Sequence, residues 1–329
     1  MSENVRRATL ITAIVLTCVL VCVAVASADQ RAASLLQGSS DAVRFATYLG
    51  GEGNETGYSI AVGQGGDVYI AGDTTSQSFA ETAPNRVGPG GSSDAFVAKL
   101  SSDGAQLEYA IVFGGTDRDF ASSLTVGADG TVYVVGSTYS ADFPTVDAFQ
   151  DGNRSCHANG CSPDAFVVEV DPSGSSLNFS SYLGGRSRDL GVAIGLSAAG
   201  SMWLGGDTTS RNFPTTSNAF QTHRGGGVDA FLLRVSANHK LDLGTYVGGS
   251  NDEHVGSLTY GSRKVAVVGT TSSSDFPVVR SRQKSVRGTT DAFVTTLNGS
   301  NGEAVYSTLI GGSSLESGLG IDIDNGRVL

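Results

Sequence analysis

The feature that most constrains the fold is a short motif that recurs along the whole chain. Two adjacent glycines stand at residues 50–51, 114–115, 184–185, 248–249 and 311–312, a spacing of 63 to 70 residues. Four positions after each second glycine comes an acidic residue. Self-similarity at a fixed period is the signature of repeat architectures. The fold must therefore arise from one structural unit used several times.

Further markers keep the same period. A Phe-Pro pair occurs in three repeats, whereas the first repeat has Phe79-Ala80 instead. A Gly-x-Thr motif begins at Gly72, Gly136, Gly206 and Gly269. An Asp-Ala-Phe triplet begins at Asp94, Asp164, Asp229 and Asp291. For the aspartates of this triplet we predict a structural role, as acceptors of hydrogen bonds from a neighbouring turn such as the Gly-x-Thr hydroxyl.

Each repeat contains four short apolar runs joined by polar turns, and helical periodicity is absent. The second run is apolar at consecutive positions, as in VYVVG and MWLGG. Such a strand is covered on both faces, and without helices only other sheets can cover it. The sequence therefore predicts an all-β fold, a β-propeller of four-stranded antiparallel blades. A stacked solenoid is the alternative.

The combination of YLGG, GDVYIAG, SADFPT and DAFVAKL resembles the bacterial SBBP-type β-propeller repeat from residue 45 to the C-terminus. The resemblance implies a propeller in an exported or surface protein and carries over no catalytic residue. We expect four whole blades, at about 58–113, 121–183, 192–247 and 257–310, and a partial fifth at 318–329. An outer strand at 43–50 would precede them. Because the fifth blade lacks its Asp-Ala-Phe strand, we expect a truncated sequence, with an irregular five-blade closure as the alternative.

The N-terminus reads as a signal peptide over residues 1–28, followed by a short linker over 29–42. Arg6 and Arg7 precede an apolar run that ends in Ala-Ser-Ala. An uncleaved membrane anchor is the alternative, and the predicted location is secreted, periplasmic or cell-surface. Outside this segment only Cys156 and Cys161 remain, and we predict a disulfide between them. A metal site with His157 and a pair of reduced thiols are the alternatives.

The formal net charge of -11 argues against a nucleic acid partner, since phosphate binding needs a clustered positive face. Membrane association is expected only through an uncleaved N-terminal segment. Binding is expected in the long loops between second and third strands, with an extracellular glycan or protein as partner. The candidate ligand-binding residues are Arg280, Arg282, Lys284, Arg287 and His223. The alternative is a solvated loop with scattered charge.

The repeated acidic residues allow two interpretations. A carboxylate beside a glycine pair can accept backbone N–H groups that the turn leaves unpaired. Alternatively, the carboxylates bind Ca²⁺, which takes several oxygen ligands, and no other cofactor is expected. Repetition in every unit favours the structural role, because every unit has the same turn. These weak metal candidates are Glu55, Asp119, Asp189, Glu253 and Glu316.

Catalysis would require residues that break the symmetry of the repeat. The four histidines, His157, His223, His239 and His254, lie in no recognisable nucleophile motif. We therefore predict an exported, non-catalytic binding module. A structural or surface-display module of a longer protein and a calcium-dependent propeller hydrolase or lyase are the alternatives.

Overall fold

The computed structural model describes residues 45–79, 84–157, 160–324 and 326–329. Every regular element within these ranges is a β-strand and none is a helix, which confirms the all-β prediction. The chain divides into the units Met1–Tyr48 and Leu49–Leu329, and every strand of the described residues lies in the second. The predicted signal peptide and linker, and Ala80, lie outside the described residues.

Four sheets follow one another along the chain, and in each the four main strands are antiparallel. The first sheet has β1 (Glu55–Val62), β2 (Val68–Thr74), the short parallel β3 (Asn85–Val87), β4 (Asp94–Leu100) and β5 (Leu107–Phe113). The second has β6 (Asp119–Val126), β7 (Val132–Thr138), β10 (Asp164–Val170) and β11 (Leu177–Leu183), and its long loop holds the hairpin β8 (Cys156–His157) and β9 (Gly160–Cys161).

The last two sheets repeat the plan. The third has β12 (Asp189–Leu196), β13 (Met202–Thr208), β14 (Asp229–Val235) and β15 (Leu241–Val247). The fourth has β16 (Glu253–Gly261), β17 (Lys264–Thr271), β18 (Asp291–Asn298) and β19 (Ala304–Ile310). A hairpin of β20 (Ile323–Asp324) and β21 (Arg327–Val328) follows.

Each first strand begins earlier than the sequence predicts. The difference is two residues in β6, three in β1 and β12, and four in β16. The first residue of each of these strands is the repeated carboxylate, which therefore belongs to the sheet and not to a loop. The pairing register shifts shortly afterwards, between Ala121 and Ser123 in β6 and between Gly191 and Ala193 in β12. Such a β-bulge interrupts the alternation of apolar and polar residues, so the sequence pattern reveals only the part of the strand beyond it.

The core lies between the sheets. All of β13 is buried, and Trp203 within it has no exposed surface. Apolar clusters join the first sheet to the second, the second to the third and the third to the fourth. Burying apolar surface stabilises these contacts by about 25 cal/mol per Å². Sheet-on-sheet packing thus replaces the helices that would otherwise cover a strand buried on both faces.

The outer face of the first sheet has no such cover. Tyr58 is 46% exposed and Ile60 37%, whereas Leu124, which corresponds to Ile60 in β6, is 6% exposed. No sheet of the described residues closes on itself. The prediction of an outer strand at 43–50 is wrong for residues 45–50, because these residues form no strand. Each Asp-Ala-Phe strand already pairs on both sides, so it offers this segment no free edge.

One end of every sheet carries the long loops and the links to the next sheet. There, the first residue of a first strand donates its backbone N–H to the carbonyl just before the Asp-Ala-Phe strand of the preceding sheet. Asp189 N–H bonds the Pro163 carbonyl at 2.8 Å, and Glu253 N–H bonds the Val228 carbonyl at 2.7 Å. These bonds fix the loop ends of neighbouring sheets side by side.

Candidate functional site

The repeated carboxylates each close the turn that precedes them. Asp189 accepts the backbone N–H of Gly185 at 2.7 Å and the Ser210 hydroxyl at 2.8 Å, and it also accepts the Thr208 hydroxyl. Thr208 is the threonine of the Gly-x-Thr motif on the neighbouring second strand, and Ser210 follows it by two residues. In the other repeats, the backbone N–H of the second glycine of the pair donates in the same way, at 2.7 to 3.0 Å, to the repeated carboxylate. These carboxylates are Glu55, Asp119, Glu253 and Glu316.

The three central copies, Asp119, Asp189 and Glu253, have no exposed surface. Burial raises the pKa of Asp119 and Asp189 to about 6 and that of Glu253 to about 7, against the opposing effect of the hydroxyl donors. Among the residues that the structure describes, no three His, Cys, Asp or Glu side chains are grouped to hold a metal ion. Neutral donors already bond these carboxylates, so the geometry favours the turn-stabilising interpretation over Ca²⁺.

The Asp-Ala-Phe aspartates serve the loop that leads into their own strand. Asp229 accepts the N–H of Gly225 at 2.7 Å and that of Gly226 at 3.1 Å. The suggested partner, the Gly-x-Thr hydroxyl, is wrong because Thr208 donates to Asp189 instead. The other three sheets have the same kind of bond: the loop N–H of Gly91 donates to Asp94, that of Arg154 to Asp164 and that of Arg287 to Asp291.

The two kinds of carboxylate meet at the joints between sheets. A Cβ placed on Gly114 would lie 2.5 Å from Asp94 Oδ1 and 2.7 Å from Asp119 Oδ2. Only glycine fits between two acids that approach so closely. At the next joint, the pKa of Asp164 is raised to about 7, mainly by burial and to a smaller extent by the charge of Asp189. These joints are buried acidic pairs that sequence reasoning did not anticipate.

A glutamine in three of the long loops connects this network, and sequence reasoning missed it. Gln221 donates to the His223 carbonyl at 2.9 Å and accepts the Gly248 N–H at 3.1 Å. Gln150 and Gln283 make the corresponding bonds. A signal was available, because each glutamine follows the proline of Phe-Pro by six or seven residues.

The predicted basic cluster forms one side of a surface groove. Arg282 and Arg287 line this groove of about 420 Å³ together with Gln283, Tyr306 and Ile310. We call it the fourth-sheet groove, because it lies between the long loop of the fourth sheet and β19. Arg280 and Lys284 belong to the same loop but do not line the groove.

The cations of this loop are exposed and unpaired. Arg280, Arg282, Lys284 and Arg287 are all exposed. In the described parts of the chain, none of the four forms an ion pair. The groove is therefore a local concentration of positive charge on a protein of net charge -11.

His223 lies elsewhere. It lines a second groove, of about 230 Å³, with Arg211, Arg224, Gly225 and Gly226. We call this the third-sheet groove. The sequence grouped His223 with the arginines of residues 280–287, and the structure places them on consecutive sheets.

Two other histidines tie neighbouring sheets together. His254 Nδ1 lies 2.8 Å from Asp207 Oδ2, and this hydrogen bond raises the pKa of His254. His239 stacks on Phe179, with 4.2 Å between ring centroids, and its Nε2 lies 3.0 Å from Glu169. Both contacts join residues of different sheets, which gives these histidines a structural role.

A disulfide joins Cys156 to Cys161 and closes the β8–β9 hairpin. The hairpin lies in the long loop of the second sheet, and residues 158–159 between its strands lie outside the described residues. A disulfide is compatible with an extracellular location. Of the described residues, none belongs to a helix that could cross a membrane.

Comparison with known sequences gives a partial similarity. No family model matches the chain. Over 170 residues it is 29% identical to the regulatory protein FlaEY of Caulobacter vibrioides, a match that covers 52% of this chain and 17% of that protein. The chain therefore spans less than a fifth of this curated relative.

Similar solved structures are remote. A protein of unknown function from Dyadobacter fermentans is 10% identical with a TM-score of 0.43, and the match covers 78% of this chain and 65% of that one. A variant of the Synechocystis apocarotenoid oxygenase is 10% identical with a TM-score of 0.39, covering 80% of this chain and 53% of that one.

Proposed function

We propose that this chain belongs to an exported, SBBP-type β-propeller that binds an anionic glycan through the fourth-sheet groove. Sheets of one topology, packed face to face with their long loops at one end, support the propeller. The N-terminal sequence pattern and the Cys156–Cys161 disulfide support export.

The observation that carries the ligand class is the unpaired charge of residues 280–287. In the first sheet, by contrast, cations pair with acids: Arg86 lies 3.3 Å from Asp94, and Lys99 lies 2.6 Å from Glu108. In the groove, neither Arg282 nor Arg287 forms an ion pair with a carboxylate of the described chain. Unbalanced cations that converge on a concave surface favour a negatively charged ligand.

The groove is built on a fixed loop. Gln283 donates to the Ser285 carbonyl at 3.1 Å and accepts the Gly311 N–H at 3.1 Å. The Ser281 hydroxyl lies 2.8 Å from that of Thr308 on β19. A loop held in this way loses little conformational freedom when a ligand binds.

The chemistry of the lining suits a sulfated or carboxylated sugar. A guanidinium can donate two parallel hydrogen bonds to a carboxylate or sulfate. Tyr306 adds a flat aromatic surface with a polar hydroxyl. An acidic polysaccharide offers both an anionic group and a ring that fit this lining.

The test is a titration of the protein with sulfated dextran and with neutral dextran. We expect the sulfated polymer to bind, with an affinity that falls as salt is added. Arg282→Gln and Arg287→Gln should each weaken binding roughly fivefold, about 1 kcal/mol. The matched control is Lys240→Gln, which removes one exposed positive charge from a turn at the opposite end of the third sheet. Equal behaviour of all three variants, or equal binding of neutral dextran, would refute the proposal.

A further inference from the structure

We infer that the third-sheet groove is a second anion site, so that the ligand is a polyanionic polysaccharide bound across two consecutive sheets. The inference rests on the proposed function and narrows its ligand from an anionic glycan to a repeating one. The groove contains two arginines and a histidine, and no acidic side chain lines it.

Its central cation is held in place by the backbone. Arg224 Nη1 donates to the Thr209 carbonyl at 2.8 Å and also to the Gly227 carbonyl. Neither acceptor carries a net charge, so the guanidinium keeps its own and presents its remaining N–H groups in a fixed orientation. Preorganised guanidinium groups lose less entropy on binding an anion than free ones do.

The nearby acid leaves this charge largely available. Asp229 is the carboxylate adjacent to Arg224, but it is fully buried and its oxygens accept the N–H groups of Gly225 and Gly226. Arg211 forms no ion pair within the described chain and is exposed. His223 is exposed as well, and its Nδ1 lies 2.9 Å from the Thr222 hydroxyl.

The two grooves open at the same end of neighbouring sheets. Each is formed by the loop between the second and third strands of its sheet. The Glu253 N–H bond to the Val228 carbonyl, at 2.7 Å, joins the end of the third-sheet loop to the start of the fourth sheet. Sheets packed face to face lie about 10 Å apart, a span that a short stretch of polymer can cover.

Two sites on one rigid scaffold favour a ligand that repeats its charge. A polymer bound at one groove places its next anionic groups near the other, so the second contact is intramolecular and raises the overall affinity. A polysaccharide that carries a sulfate or carboxylate along its length has this property. An acidic polypeptide has it too, and it forms an arm of the test.

The experiment measures the affinity of the intact protein for sulfated oligosaccharides of graded length, with poly-glutamate as a second probe. We expect an affinity gain of at least tenfold once the oligosaccharide is long enough to span both grooves. Arg211→Gln and His223→Gln should abolish this gain. Lys240→Gln, the control, should keep the gain. Both groove substitutions are on exposed side chains, and circular dichroism verifies that the variants are folded.

The outcomes separate this inference from the proposal beneath it. If the shortest oligosaccharide does not bind at all, the proposed function is refuted. If it binds but the length gain survives Arg211→Gln and His223→Gln, the two-groove inference alone is refuted. If poly-glutamate shows this gain in affinity and the sulfated oligosaccharides show none, the ligand is an acidic polypeptide and the inference of a polysaccharide ligand is refuted.

Discussion

Replacing Asp164 by asparagine should remove a large part of the pH dependence of folding stability. Asp164 is fully buried at a joint between sheets, and burial together with the charge of Asp189 raises its pKa from 3.8 to about 7. Asparagine has the same shape and can still accept the Arg154 N–H that Asp164 accepts at 2.9 Å. The substitution therefore removes the titrating group and retains an acceptor for the loop.

The direction in which the free energy of unfolding changes with pH follows from proton binding. Between pH 3.8 and about 7, the folded protein holds a proton on Asp164 that the unfolded chain has released. The free energy of unfolding of the native sequence therefore falls as pH rises through this window, and the loss is complete above the folded-state pKa. A shift of about three units corresponds to roughly 4 kcal/mol. Asp119, Asp189 and Glu253, whose pKa values are also raised, act in the same direction.

The assay is urea unfolding followed by the fluorescence of Trp203, the single tryptophan, which is fully buried. The free energy of unfolding is compared at about pH 4.5 and about pH 8 for the native sequence and for Asp164→Asn. We expect the difference between the two pH values to be smaller in the variant by about 3 to 4 kcal/mol. Asp151→Asn, on an exposed loop residue, serves as the control and should leave it unchanged. Equal pH dependence in Asp164→Asn and the native sequence would show that Asp164 does not titrate between the two pH values.

Two further predictions concern the repeated turn. Gly206→Ala should destabilise the fold by more than about 2 kcal/mol, because its Cβ would lie 1.9 Å from the Leu190 carbonyl oxygen, a backbone atom that cannot move aside. Thr208→Val should cost about 1 to 3 kcal/mol, because it removes a hydroxyl donor from the buried Asp189 and leaves its volume unchanged. Both losses are measured as a shift of the urea midpoint at constant slope.

Each of these predictions has an internal control. A Cβ on Gly152 meets nothing within 4 Å, so Gly152→Ala should leave stability within about 0.5 kcal/mol of the native value. Thr209→Val removes the neighbouring hydroxyl, which donates to the Arg188 carbonyl at 3.1 Å near the surface and not to a buried acid, so it should cost less than Thr208→Val. If either control is as destabilising as its partner variant, the assigned contact is not the cause.

Much of the strand content was readable from the sequence because strands, turns and their order are local properties. The Asp-Ala-Phe strands begin at Asp94, Asp164, Asp229 and Asp291, where the repeat predicts them. The sequence pattern predicts the start of each first strand too late in the chain, because a bulge hides the beginning of the strand. The partner of the Asp-Ala-Phe carboxylate was wrong, because two acceptors compete for the same Gly-x-Thr hydroxyl and a sequence does not show which one lies closer.

Local sequence patterns are sufficient to predict an all-β chain of repeated antiparallel units, a glycine pair with a nearby carboxylate in each unit, and a basic loop on an acidic protein. The packing of the sheets is needed to show that carboxylates from successive sheets pair in buried joints. It also separated His223 from Arg282 and Arg287 into two grooves. The physical reason is that these relations depend on how one sheet packs on the next and on how loops of unequal length are pinned. Both are distances between residues far apart in the chain, which no local pattern encodes.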